Sequence, residues 1–197
     1  MFALVDKSDN SITRMLNGNK GITIGDNQYP RAIFSLWTEA ERNAINIYAV
    51  TINTSNKKNE QWYINTNITY AFDGTNATGS YGDATAKAHA DTTWTQEQID
   101  DGDAPDGADT DTVKVKGLKT VLIRQVKELT EGELNITDWY ITRKAEKNTA
   151  IPSAITTHRD AVRSKQAAME TAITNASDTP ALETLYTYTR QEDGSTT

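Results

Sequence analysis

The hydrophobic period of this chain changes once and does not change back. From Phe2 to about His89, short runs alternate apolar and polar residues; from Val113 onward, apolar residues recur every three or four positions. A single switch of that kind segregates strands from helices, so the expected class is α+β, with a small antiparallel β-rich unit containing one short helix, followed by helical hairpins. Between the two textures lies WTQEQIDDGDAPDGADTDT, a run with little to bury and room for one or two helical turns at Gln96 to Ile99. The expected division is therefore a β-rich domain over 1–92, an acidic connector over 93–112, a helical domain over 113–189 and a polar tail over 190–197.

Within the first part, FALVD and SITRML flank the turn-prone DKSDN and read as a hairpin, and GITIGDNQYP reads as a strand entering a turn. In LWTEAERNAI, Thr38 followed three residues later by Glu41 predicts a capping box, with Ala40, Ala44 and Ile45 facing inward. NIYAVTIN and EQWYINTNITYAFD then alternate for several pairs. An antiparallel meander is the simplest assembly, with TGSYGDATA as a weak edge strand because Gly79 and Gly82 lower strand stability and Asp83 discourages pairing.

In the second part, Leu118, Val121, Leu122, Val126 and Leu129 form one apolar stripe, expected to end at Gly132. Thr137 is the N-cap candidate for the next helix, with Asp138 placed favourably against its dipole. Pro152 opens a longer helix in which Ile155, Val162 and Met169 recur every seven residues, and Ile173 adds a neighbouring position. Asp178 caps a last helix with Pro180 in its first turn, Leu182, Leu185 and Tyr186 as its apolar face, and Tyr188 close behind. These stripes are narrow and rich in Ala, which points to burial against further copies or a docked partner.

Composition limits the chemistry. A net charge of -7 with no basic stripe argues against binding nucleic-acid phosphates, and the lack of cysteine removes disulfides, thiolate nucleophiles and sulfur-based zinc sites. No segment approaches a membrane span, so no membrane insertion is expected. Asp101, Asp103 and Asp106 are the metal candidates, but the run departs from a calcium loop: counted from Asp101, the sixth position is Asp106 rather than Gly, and the twelfth is Thr112 rather than Glu. A solvated linker is the preferred reading. His89 and His158 stand apart, without a nucleophile elbow or metal-spaced partner, and GNKGITIG lacks the P-loop lysine-hydroxyl pair. Neither an enzyme nor a cofactor is expected.

Interface or packing candidates are Trp37, Trp62, Trp139 and Tyr140, large aromatics in a chain short of Leu and Ile. Arg143, Glu146, Arg159 and Arg163 join them, with Glu146 or Asp138 expected to lock one helix against the arginines of another.

The series Asp138-Trp139, Arg143, Glu146, Pro152, Arg159 and Arg163 resembles a pattern near the end of tailed-bacteriophage tail-fibre assembly and tail-associated structural proteins. MFALVD with ITIGDNQYPRAIFSLWTEAERNAINIYAV is similar to the companion domain of small structural proteins of marine tailed phages. The resemblance implies a structural or adaptor role in the virion tail or fibre assembly, reached after assembly in the host cytoplasm. It also implies other tail or fibre proteins as partners, in a homo-oligomer or multi-copy assembly. The alternative it carries is a tail-fibre assembly chaperone absent from the mature particle. Those chaperones usually have a Trp-Pro segment near the end, where this chain reads DTPALETLYTYTRQEDGSTT.

Overall fold

A computed structural model of the chain describes residues 1–187, and its fold is α+β. Two units divide between Thr85 and Ala86. Tyr188 and the tail over 190–197 lie outside the described residues.

The first unit opens with the expected hairpin, β1 (Phe2–Asp6) against β2 (Ser11–Leu16), antiparallel, with an irregularity between Leu4 and Val5. A second hairpin, β3 (Ile22–Ile24) and β4 (Asn27–Tyr29), turns at Gly25, whose φ of 57° lies in the left-handed region that glycine adopts at no steric cost. Two short helices follow instead of one: α1 (Ile33–Leu36) and α2 (Glu39–Asn43). The predicted capping box starts α2: the Glu41 N–H donates to Thr38 Oγ1 at 3.3 Å and the Thr38 N–H to Glu41 Oε2 at 2.7 Å. Ala40 and Ala44 are exposed rather than inward, and it is the Arg42 guanidinium that lies over Phe2, 5.3 Å from the ring centroid.

The main sheet corrects the meander. Strands β5 (Ile47–Asn53), β6 (Tyr63–Ile64), β7 (Thr69–Phe72) and β8 (Ala77–Ser80) follow in sequence, but the sheet order is β2-β1-β5-β8-β7, with β5 and β8 parallel. The expected edge strand is thus internal, held antiparallel to β7 on its other side. Gly79 has a steric reason there: a Cβ would fall 2.8 Å from both Ile52 and Tyr70 side chains, its neighbours across the two pairings. Alternation in β1 sends Ala3 and Val5 to a cluster with Tyr48, Phe72 and Ala77, while Phe2 and Leu4 pack with Ile22, Ile33 and Ile47 on the other face.

Strand β9 (Thr85–Ala86) falls at the boundary between the units. In the second unit, β10 (Thr92–Thr93) pairs antiparallel with β11 (Val113–Val115), so the acidic run is the loop of a hairpin inside that unit rather than a link between domains. Helix α3 (Gln96–Asp100) occupies the loop, with a capping box between Thr95 and Gln98. Then come α4 (Leu118–Asn135), α5 (Asp138–Lys147), α6 (Ser153–Asn175) and α7 (Thr179–Leu185). Helix α4 runs through Gly132 and ends three residues later, because a single exposed glycine costs only about 1 kcal/mol in a helix interior. Helices α4 and α6 pack antiparallel, as the contacts of Lys119 with Thr174 and of Glu133 with His158 require.

The start of α4 has no capping side chain of its own; the chain before β10 supplies one. Ala88 and His89 carbonyls accept the Leu118 and Lys119 N–H groups, each at 3.0 Å, and Asp91 Oδ1 accepts from the Gly117 N–H at 2.7 Å. Gly117 is buried, and a Cβ there would sit 2.2 Å from the Ala90 carbonyl carbon. The Thr120 hydroxyl and the Gly117 N–H hold the Asp91 carboxyl below its ordinary range.

A carboxylate with a lowered folded-state pKa stabilises the fold above its unfolded pKa of about 4 and loses that contribution as pH falls through the folded value. Asp91→Asn should therefore destabilise the protein at neutral pH and flatten the acid limb of its stability profile, read by thermal unfolding across a pH series.

Candidate functional site

Three features of the second unit gather the predicted side chains. The first is a buried guanidinium. Arg159, one turn into the buried stripe of α6, has a side chain only 7% exposed and directs Nη1 at three oxygens where α4 ends and α5 begins. Nη1 donates to the Leu134 carbonyl at 2.8 Å and to Thr137 Oγ1 at 2.7 Å, and it forms an ion pair with Asp138 Oδ1 at 2.8 Å. The charge suits the place: the last carbonyls of α4 carry the negative end of its dipole, and Asp138 stands in the first turn of α5. Thr137 occupies the N-cap position but does not cap. Its hydroxyl donates back to the Leu134 carbonyl at 3.0 Å while accepting from Arg159, so its oxygen is engaged by the arginine instead of the helix start.

Asp138 is thus the carboxylate that locks the helices, and Glu146 is not. Glu146 is exposed, and Arg163 pairs along its own helix with Asp160 at 3.7 Å. Arg159 and Arg163, one turn apart, do not share an environment: the first is buried, the second half exposed.

The second feature is an aromatic surface on α5. The rings of Trp139 and Tyr140 lie 3.9 Å apart, and the Arg143 guanidinium covers both, 4.9 Å from the first centroid and 5.6 Å from the second. Trp139 is 51% exposed rather than buried in a core. Trp37 and Trp62 separate from it. Trp62 is buried, and Trp37 stands edge-on to Tyr29 at 6.0 Å against the Ile22, Ile33 and Ile47 cluster. Both are packing residues of the first unit.

The third feature is a groove of about 780 Å³ along one flank of the α4 and α6 pair, lined by apolar residues including Val126, Leu129, Val162 and Met169. Leu129, read from its spacing as part of a buried stripe, is 75% exposed on the rim. The other flank of the same seam is polar, with Lys127, Glu131, Asp138 and Gln166 around a smaller cleft. The seam itself is closed by Leu122 and Ile173 at one end and by Arg159 at the other.

The acidic loop builds no ligand set. Asp101, Asp103 and Asp106 are exposed, and among the described residues no group of three or more His, Cys, Asp or Glu side chains is placed to hold a metal ion. The aspartate that orders the loop is Asp109, which accepts from the Thr112 hydroxyl at 2.7 Å and the Asp111 N–H at 3.1 Å. His158 is half exposed beside Glu133, at 3.1 Å, and the His89 carbonyl serves the start of α4.

Sequence reasoning missed two buried polar groups. Thr137 was identified only as a cap, and Thr179, 2% exposed, donates its hydroxyl to the Lys87 carbonyl at 2.6 Å. A threonine's burial has no periodic signal when its partner lies ninety-two residues away in sequence.

Comparison with protein-family models, with curated proteins and with solved structures returns no match.

Two substitutions separate burial from charge pairing. Arg159→Ala removes a buried donor from three oxygens and should cost about 3 kcal/mol in urea unfolding, whereas Asp138→Ala, at a half-exposed carboxylate, should cost about 1 kcal/mol or less. Trp139→Ala should change stability by less than about 1 kcal/mol, the scale of an exposed cation–π contact; a larger loss in the same assay would return Trp139 to the core.

Proposed function

We propose that this chain is a bacteriophage tail-associated structural or adaptor protein that acts through protein–protein contacts in the virion tail or fibre assembly. The phage setting rests on the resemblance around Asp138, Trp139, Arg143, Glu146, Pro152, Arg159 and Arg163 and on that of the first unit. The observation that carries the contact role is the apolar flank of α4 and α6, with Leu129 three-quarters exposed on a hairpin otherwise closed by Leu122 and Ile173. An aromatic and arginine surface at Trp139, Tyr140 and Arg143 adds the residue types that dominate interface energetics.

The alternative is a tail-fibre assembly chaperone, which would use the same apolar flank for a transient hold on fibre chains. Mass spectrometry of purified phage particles distinguishes the two. Recovery of this chain in particles, in fixed ratio to other tail proteins, is the expected result. Its absence from particles, together with rescue of fibre solubility on co-expression, would transfer the assignment to the chaperone. Absence with no such rescue would remove both.

A further inference from the structure

Resting on that contact role, we infer that the occupant of the apolar flank is a second copy of this chain, paired hairpin to hairpin in an antiparallel, two-fold four-helix bundle. The argument is the arrangement of charge along the groove. Glu133 and His158 stand together at one end, 3.1 Å apart. Lys165 lines the same groove seven residues further along α6, two turns or about 10 Å away, and makes no hydrogen bond or ion pair among the described residues. Leu129 and Val162 lie between these levels.

An isologous contact places each feature against its mirror level on the other copy. A two-fold axis crossing the hairpin near Leu129 and Val162 brings Lys165 of each copy to the Glu133 and His158 pair of the other, so the unpaired ammonium meets the carboxylate twice over. The same axis sets Leu129 against Leu129 of the second copy. Along α6, Ala161 and Ala168 let the two long helices approach closely, and Ile155, Val162 and Met169 supply the seven-residue repeat that such packing needs. Axes placed at the end of the groove would instead set Glu133 near Glu133 or Lys165 near Lys165.

Helix α4 is 18 residues, about 27 Å long, and two helices side by side are about 20 Å across. That face is at the small end of stable interfaces, so the dimer is expected to be concentration-dependent.

Sedimentation equilibrium of the full chain over a concentration series tests this. Wild type is expected to titrate from monomer to dimer. Leu129→Asp, at an exposed position that leaves the hairpin core untouched, should weaken the dimer by about tenfold or more, with an unchanged circular dichroism spectrum. Glu133→Lys and Lys165→Glu should each weaken it, and the double charge exchange should restore it. A wild type that stays monomeric at its highest soluble concentration, a dimer indifferent to Leu129→Asp, or an exchange variant that fails to recover would overturn the pairing. Presence in phage particles with a monomeric chain in solution would sink only the self-pairing; a dimer absent from particles would sink only the tail-component reading.

Discussion

The helical unit turns on one buried charge. Arg159 sits in the seam of α4 and α6, where an apolar residue would satisfy the stripe, yet its Nη1 binds the last turn of α4, the Thr137 hydroxyl and the first residue of α5. Burying a guanidinium costs several kcal/mol unless its protons find oxygens; the Leu134 carbonyl, the Thr137 hydroxyl and the Asp138 carboxylate gather at Nη1, while Nε is buried without a partner. The same contact fixes three things at once: where α4 stops, how sharply the chain turns into α5, and the register of α6 against both. Gly132 is exposed and keeps a helical backbone, and α4 continues to Asn135, beside the Leu134 carbonyl that accepts from Arg159.

The start of the same helix shows the complementary arrangement. Its first amides are held by Ala88, His89 and Asp91, so the segment before β10 and the segment after β11 are joined at Gly117, across the whole acidic loop. This is why the acidic run is not a domain linker despite its composition. Composition reports that its residues have nothing to bury; it does not report that its two ends are clamped by a strand pair and a remote cap.

What was legible in the sequence follows from range. Period two in FALVD and period 3.6 in the Leu118 stripe are local, and so are the Thr38 and Glu41 capping box and the Asp178 cap; the strand, the helix and both caps are found there, although the helix runs past Gly132 and Leu129 is exposed. Strand order is not local. The parallel pairing of β5 with β8 brings together residues twenty-seven apart, and nothing in TGSYGDATA distinguishes a glycine that weakens an edge from one that makes room for Ile52 and Tyr70. Among site residues, Arg159 is legible from helical spacing and Asp138, one of two carboxylates offered, from its place in the first turn of α5, while Glu146, the other, is exposed and does not reach the arginine.

The exposed flank has the same origin. On α6 the buried positions of the seam are Arg159 and Ile173, with Gln166 beside them, a stripe mixed in polarity, and the apolar residues Ala161, Val162, Ala168, Met169 and Ala172 line the flank next to it. A single partner helix covers one stripe. Helix α4 covers the one containing Arg159, and its own Leu129 is displaced onto the uncovered side with the alanines. Turning α6 to bring that flank against α4 would break the Arg159 contacts to Leu134, Thr137 and Asp138. The apolar flank and the buried charge thus belong to one packing arrangement of α4 and α6.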